Sequence, residues 1–347
     1  MSQLKVVFDG ESLITPDAIA GGSAAGDYEH FDEQFAIGRG EIAVMLELAR
    51  QRSERADDPR AIIDYVAGAL HDIRSRFHPA VWKALVPVVQ RHPVSAFFLE
   101  DPFTRWSFEK PRGYSGDAHL LDFIYGHPDA AGEIAAATPT GRALYDYTKD
   151  ASSSVAVRER RDLLTKYVDQ VADARGAETE ILTIASGHLR EADRSVALQE
   201  QRLKRWIALD QDPLSVGSVA RDFQGTSVEA VNGSVRSILN GKQKLGRFDF
   251  IYAAGLYDYL AENVAVKLTQ KCLEMLKPGG LFLFANFAEG IRVEGYMETF
   301  MNWELLWRNE ADMWRIVNAS IDRNTVEPQV WFGENRNIVY GTLQLRT

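Results

Sequence analysis

From Glu180 onward, short apolar runs that do not alternate with polar residues recur between amphipathic stretches, and nothing else in the chain restricts its fold as much. Ile181–Ala185, Trp206–Leu209, Phe248–Ala253 and Leu281–Ala285 have the pattern of strands covered on both faces. Arg190–Gln201, Pro213–Phe223 and Asn263–Leu276 separate them with helical periodicity. Strand and helix in strict alternation predict an α/β fold with a doubly wound, parallel, Rossmann-like sheet. The tail has a different grammar. Gln329–Phe332, the turn Gly333-Glu334-Asn335-Arg336 and Asn337–Leu345 predict an antiparallel C-terminal hairpin that closes one sheet edge.

Upstream, from about Ile37 to Ala172, the periodicity is helical: Ile42, Met45, Leu46 and Ala49 share one face, as do Ile62, Tyr65, Val66, Leu70 and Ile73. Pro59, Pro79 and Pro93 fall near helix starts, where a missing N–H is harmless. With 347 residues the chain exceeds the ~250 at which one core stops growing. We divide it near Ser152, into a helical N-terminal cap (1–151) and an α/β domain (152–347), with Gly21–Gly26 as a loose lead-in.

Lys and Arg number 39 against 49 Asp and Glu, a net charge of −10 that repels a phosphate backbone, so no nucleic acid is expected as a partner. Arg158-Glu159-Arg160-Arg161 is interrupted by a glutamate and fits a solvated helix surface. The lone Cys272 sits in an apolar-periodic run and is expected to be buried. No apolar stretch reaches the ~20 residues that span a bilayer, and Met1–Ala20 lacks the pattern of a signal peptide. A cytoplasmic protein with no membrane partner is expected.

Ligands of such sheets bind outside the carboxyl ends of the strands. The first strand ends in Ala185-Ser186-Gly187-His188, where Gly187 permits positive φ or close approach. Asp210 ends the second strand, 23 residues after Gly187 and near the ~20 expected of a carboxylate that accepts from a ribose diol. An N-cap ahead of Pro213 is the other reading of Asp210-Gln211-Asp212, and the two are compatible. A nucleoside ligand follows. A dinucleotide does not, because only Gly187 of the G-x-G-x-x-G pattern is present.

Asn232-Gly233-Ser234-Val235, then Arg247–Tyr259, then Leu276-Lys277-Pro278-Gly279-Gly280 follow in the order seen in class I S-adenosylmethionine-dependent methyltransferases, which the chain resembles from about Ser152 onward. Asp101-Pro102-Phe103-Thr104 and Glu109–Asp117 resemble a signature of a bacterial subfamily with a helical N-terminal extension, as do Ala254–Leu260, Ala285-Asn286-Phe287 and Tyr296-Met297-Glu298…Asn302-Trp303. That subfamily includes enzymes similar to the 3-hydroxy fatty acid carboxyl methyltransferases that make quorum-sensing methyl esters. Ala185 and His188 depart from it, standing where the fold often has glycine. The resemblance implies S-adenosylmethionine as cofactor. Asp210 would hold the ribose with Gln211 beside it; Gly233, Ser234 and Val235 would flank the adenine; Ala185, Ser186, Gly187, Ala254 and Gly255 would lie against the methionine part. Arg112, Gly113 and Tyr114 would reach the cofactor's carboxylate, with Arg158 as a second candidate. A polar turn between two cap helices is the other reading of Arg112-Gly113-Tyr114.

A sulfonium methyl is already activated, so transfer needs alignment and exclusion of water. A hydroxyl acceptor must also lose a proton, whereas a carboxylate need not. His119 is the catalytic base candidate, with His188 and Glu289 behind it; a surface or capping group is the other reading of His119. Asn286, Glu289, Tyr296 and Trp303 are candidates for binding a small-molecule substrate, and Trp307 and Trp314 for core. No metal-ligand spacing appears, so a metal-independent reaction is expected. The leading function is a methyltransferase acting on a small carboxylate or hydroxyl in secondary metabolism or signalling. A cyclase forming azetidine-2-carboxylate from the cofactor, a non-catalytic sensor and a dehydrogenase are the alternatives.

Overall fold

A computed structural model describes residues 30–346. The readings of Met1–Ala20 and Gly21–Gly26 lie outside the described residues. The chain forms two compact units. Residues 30–155 with 290–305 make one, and 156–289 with 306–346 the other.

The second unit is a seven-stranded sheet: β1 (Thr179–Ile184), β2 (Leu203–Asp210), β3 (Val228–Asn232), β4 (Phe248–Ala253), β5 (Leu276–Phe287), β6 (Val326–Phe332) and β7 (Ile338–Leu345). Their order is β3-β2-β1-β4-β5-β7-β6. The first five pair in parallel, while β7 runs antiparallel to both β5 and β6. This is a Rossmann-like sheet with an antiparallel C-terminal hairpin, as the sequence predicts. Strand order reverses between β1 and β4, which sets the ligand crevice at the carboxyl ends of those strands. Helices Glu262–Glu274 and Glu310–Ser320 bury Ala265, Leu268, Cys272, Met313, Ile316 and Val317 in one core with Ile251, Phe282 and Phe284 of the sheet.

Three readings need correction. Arg190–Gln201 is not an amphipathic helix but a 3-10 turn, Ala192–Arg194, and a single turn, Val196–Gln199. Asp169 causes the break: it accepts from the Ser195 hydroxyl (2.6 Å) and the Ala197 N–H (3.0 Å), drawing the chain out of helix at Ser195. Pro278-Gly279-Gly280 lies not before the last parallel strand but within it, as a bulge. Pairing jumps there from Phe248↔Leu276 to Phe250↔Leu281, and Gly279 takes φ +67°. The edge strand β3 has no counterpart in the reading; Val-Glu-Ala-Val-Asn is short and only half-buried, and so lacks an apolar run.

In the helical unit, Phe31–Glu54 buries Ile42, Met45, Leu46 and Ala49 as the periodicity predicts. Pro59–Arg76 buries Ile62, Val66, Leu70 and Ile73, but Tyr65 is exposed and Ile63 takes its place inside. Four helices open on proline, at Pro59, Pro79, Pro102 and Pro139, behind the caps Asp58, His78, Asp101 and Thr138. Residues 290–305 join this unit through buried contacts. Arg74 makes a two-pronged ion pair with Glu298 (2.8 and 3.0 Å) and another with Glu294 (2.8 Å), while the Trp82 N–H donates to Glu298. No helix among the described residues is long and apolar enough to cross a membrane.

Candidate functional site

The loop after β1 is unusual in its backbone. Ala185, Gly187 and Leu189 all take positive φ (56°, 55° and 54°), so two side-chain-bearing residues occupy a region that glycine prefers. The Ser186 N–H donates back to the Leu209 carbonyl (3.1 Å), tying the loop to the end of β2. The Ser186 hydroxyl is buried without a hydrogen-bond partner, a condition that a bound polar ligand relieves.

Asp210 closes this loop from the side. Its carboxylate accepts from the Gly187 N–H and from the Asp212 N–H, both at 2.8 Å. Burial raises its pKa above the usual carboxylate range, against the pull of those two donors. The capping reading belongs to Asp212 instead, which accepts from Leu214 N–H (2.9 Å) and Ser215 Oγ (3.2 Å) at the start of Pro213–Asp222. With the helix capped by its neighbour, Asp210 is left to face the loop. Gln211 beside it is half-buried and accepts at its backbone carbonyl from Asn232 Nδ2 (3.4 Å).

After β3 the Gly233 N–H donates to the Asp210 carbonyl (2.9 Å), and a Cβ there would sit 2.7 Å from Gln243 Nε2, the movable end of that side chain. Ser234 caps Val235–Leu239 in a reciprocal box with Ser237, and Val235 is buried. After β4, Ala254 and Gly255 are half-buried, and the Ala254 carbonyl accepts from Arg160 Nη1 (2.6 Å). The ends of β1, β2, β3 and β4 thus gather Ala185, Ser186, Gly187, Asp210, Gly233 and Ala254-Gly255 in one unit.

Arg160 corrects the solvated reading of the Arg158–Arg161 run: its residue is only 4% exposed. The signal was present in the sequence. Val157, Leu164, Val168 and Ala172 mark the buried stripe of helix Ser152–Arg175, and position 160 continues it at helical spacing. Arg158, two residues away on another face, is half-buried.

At the end of β5 a second buried cluster forms. Asn286 spends its side chain on structure: Nδ2 donates to the Leu306 (2.8 Å) and Phe287 (2.9 Å) carbonyls, and Oδ1 accepts from Arg308. Arg308 also donates to the Tyr257 and Leu260 carbonyls. Asp258 beside them accepts from the Phe287 N–H (2.7 Å); burial pushes its carboxyl up to about 6, opposed by that bond, Arg160 and Arg308. Glu289 is exposed, with Asn309 Nδ2 3.0 Å away. His188 is buried, 3.3 Å from Arg190 Nη2.

The remaining sequence candidates belong to the helical unit. Arg112, Gly113 and Tyr114 form the turn between helices Pro102–Glu109 and Ala118–Tyr125, with Gly113 at φ +88° and Arg112 Nε 3.8 Å from Asp117. His119 is buried, its ring against Trp106 (4.2 Å between centroids), Nε2 3.2 Å from Glu133 and Nδ1 3.9 Å from Asp122. Tyr296 and Trp303 are buried; the Tyr296 hydroxyl meets Thr104 Oγ1 (3.1 Å) and its ring packs on Phe98 and Phe300. Trp307 and Trp314, read as core, lie instead in the sheet unit and are each only partly buried. A cleft of about 530 Å³ in the helical unit is lined by residues that include Arg60, Asp64, Asp146, Tyr147 and Arg292, where Arg292 and the Tyr147 hydroxyl both meet the Asp64 carboxylate at 3.0 Å.

No family model matches the chain, and no curated protein matches it. Solved structures do. A possible exported protein from Bordetella parapertussis is similar over 89% of this chain and 97% of its own, at 14% identity and a TM-score of 0.52. The N-methyltransferase NodS from Bradyrhizobium japonicum WM9, in complex with S-adenosyl-L-homocysteine, is similar over 57% of this chain and 90% of its own (17% identity, TM-score 0.40). An S-adenosylmethionine-dependent methyltransferase from Clostridium acetobutylicum ATCC 824 is similar over 55% and 92% (10% identity, TM-score 0.40). At these identities the likeness is one of fold.

Proposed function

We propose that this chain is an S-adenosylmethionine-dependent methyltransferase acting on a small-molecule acceptor, with a carboxylate favoured over a hydroxyl. One observation carries the reading. At the strand-order switch, the Asp210 carboxylate and the buried, partnerless Ser186 hydroxyl face one loop whose backbone is held open by positive φ at Ala185 and Gly187. That donor and acceptor set suits a nucleoside with a polar amino acid end and no phosphates.

Asp210 would accept from the ribose diol, and Ser234 and Val235 would border the adenine. Ala185, Ser186, Gly187, Ala254 and Gly255 would lie along the methionine part. The cofactor supplies a methyl group already activated by sulfonium charge. The protein's share is then to hold the partners in line and keep water out. A carboxylate acceptor suits this chain because it needs no base, and both ring nitrogens of His119 already face carboxylates. The roles of Arg112, Tyr114, Tyr296 and Trp303 rest on the sequence resemblance alone, as does the closeness to fatty acid methyl ester synthases.

The test is calorimetric titration of the full chain with S-adenosylmethionine, followed by mass spectrometry of products with and without 3-hydroxy fatty acids. Binding that falls about 10- to 100-fold in Asp210→Ala, the range expected for a lost charged hydrogen-bond partner, with S-adenosylhomocysteine formed only when acceptor is present, is the expected result. Methylthioadenosine formed without acceptor would overturn methyl transfer, and absence of binding would overturn the cofactor.

A further inference from the structure

Helix Phe31–Glu54 is apolar on two faces, and only one of them is covered. The inward face buries Ile42, Met45, Leu46 and Ala49. The opposite face carries Ala36, Ile37, Gly40, Ala43, Val44 and Leu48, all of them exposed. Spacings of three, four and seven residues place these six in one stripe. Val44 is 71% exposed, Ile37 46% and Leu48 40%, so three of the seven large hydrophobic side chains exposed among the described residues share this stripe. The exposed Tyr65 of the neighbouring helix Pro59–Arg76, with the Arg52 guanidinium over its ring, widens the patch at one end. A surface helix ordinarily keeps a single apolar face and turns a polar one to water. A contiguous apolar patch left outside marks a contact surface. Gly40 is consistent with that, because a Cβ there would meet nothing within 4 Å and no packing inside the unit calls for glycine.

We infer that this stripe is the contact between two copies of the chain, whose helices Phe31–Glu54 cross antiparallel about a two-fold axis at Ala43. The inference is independent of the methyltransferase reading. The charges beside the stripe select both the occupant and its direction. Arg39 is exposed and makes no ion pair or hydrogen bond among the described residues. Its neighbours are already engaged: Glu41 pairs with Arg76, and Arg50 with Glu47 and Glu54. Glu47 nevertheless keeps 43% of its side chain exposed. Positions 39 and 47 lie four residues to either side of Ala43, about one helical turn each way on the same flank. Antiparallel pairing about Ala43 therefore sets each Arg39 opposite the other copy's Glu47, twice per dimer, as an isologous interface requires. A parallel pair would set Arg39 against Arg39, and the acidic first turn with Asp32 and Glu33 against its own copy. Gly40 and Ala43, small and central, leave room for the two backbones to approach, while Ile37, Val44 and Leu48 supply the apolar area to either side.

The experiment is sedimentation velocity of the full chain over a range of concentrations, for the wild type, Val44→Glu, Arg39→Glu and the double variant Arg39→Glu/Glu47→Arg, with circular dichroism to confirm folding. The wild type is expected to sediment at twice the 38.9 kDa of one chain. Val44→Glu, at a position that faces water in the single chain, is expected to weaken the dimer at least about 100-fold, since association would bury an unpaired charge. Arg39→Glu is expected to weaken it about 10-fold, because two attractive pairs become repulsive. Adding Glu47→Arg is expected to restore it, a recovery that a merely structural role for Arg39 would not give. The wild-type measurement stands even if a variant fails to fold: a monomer at every concentration overturns the inference and leaves the face to a different protein. A dimer indifferent to Val44→Glu overturns it too, because the contact then lies elsewhere. A loss in Arg39→Glu that the double variant does not recover overturns the antiparallel pairing.

Discussion

Asp101 shows how one buried carboxyl makes stability depend on pH. It caps Pro102–Glu109 through the Phe103 N–H (3.0 Å) and accepts from the hydroxyls of Thr104 (2.7 Å) and Thr148 (2.9 Å), yet burial outweighs these donors and pushes it from 3.8 up to about 6. The folded chain therefore holds a proton between about pH 4 and 6 that the unfolded chain releases. Its contribution is complete below pH ~4 and is lost as pH rises through about 6. Asp101→Asn keeps a capping side chain and removes the titration. Chemical denaturation at pH 4 and pH 7 should find the variant gaining on the wild type by up to about 3 kcal/mol across that interval; a constant difference would show that folding leaves the carboxyl's pKa unshifted. At this scale Asp210 was legible, because strand end and spacing from Gly187 place it. Arg160 was also encoded, by its position on an apolar stripe, but the neighbouring charges made the run look like solvated surface.

Elements were legible where burial is uniform. Phe248–Ala253 has no polar face, so its apolar run and its strand coincide. Arg190–Gln201 misled because helical periodicity speaks only to local preference, whereas the Asp169 carboxylate, on another helix, captures the backbone at Ser195 and Ala197. The C-terminal hairpin depends on a close approach that periodicity does not reveal. Gly341 on β7 pairs with Phe284 on β5, and a Cβ there would lie 2.4 Å from the Phe284 ring. Gly341→Ala should destabilise the chain by about 1–3 kcal/mol, the usual range for overpacking, measured as a lower denaturation midpoint with unchanged slope. Near-wild-type stability would show that the Phe284 ring has room to move. Arg308 works at the same scale: by donating to the Tyr257 and Leu260 carbonyls and to Asn286, it joins the loop after β4 to the end of β5.

For the whole molecule, a ligand that binds only the folded chain stabilises it by mass action. S-adenosylmethionine at one hundred times its dissociation constant should add about 2.7 kcal/mol, seen as a rise in melting temperature; Asp210→Ala, binding about 10- to 100-fold more weakly, should cut that to about 0.4–1.4 kcal/mol at the same concentration. A rise undiminished in the variant would place the ligand elsewhere. The sequence alone determined the α/β alternation, the closing hairpin and the carboxylate at the end of β2, because burial on both strand faces and turn chemistry act over a few neighbouring residues. Only the tertiary structure decided that residues 290–305 leave the sheet unit to pack with the helices, that Asn286 is consumed by Leu306 and Arg308, and that Arg160 lies buried and donates to the Ala254 carbonyl. Each of these depends on partners far away in sequence, and the charge or polarity of a side chain does not say which distant group, if any, will satisfy it.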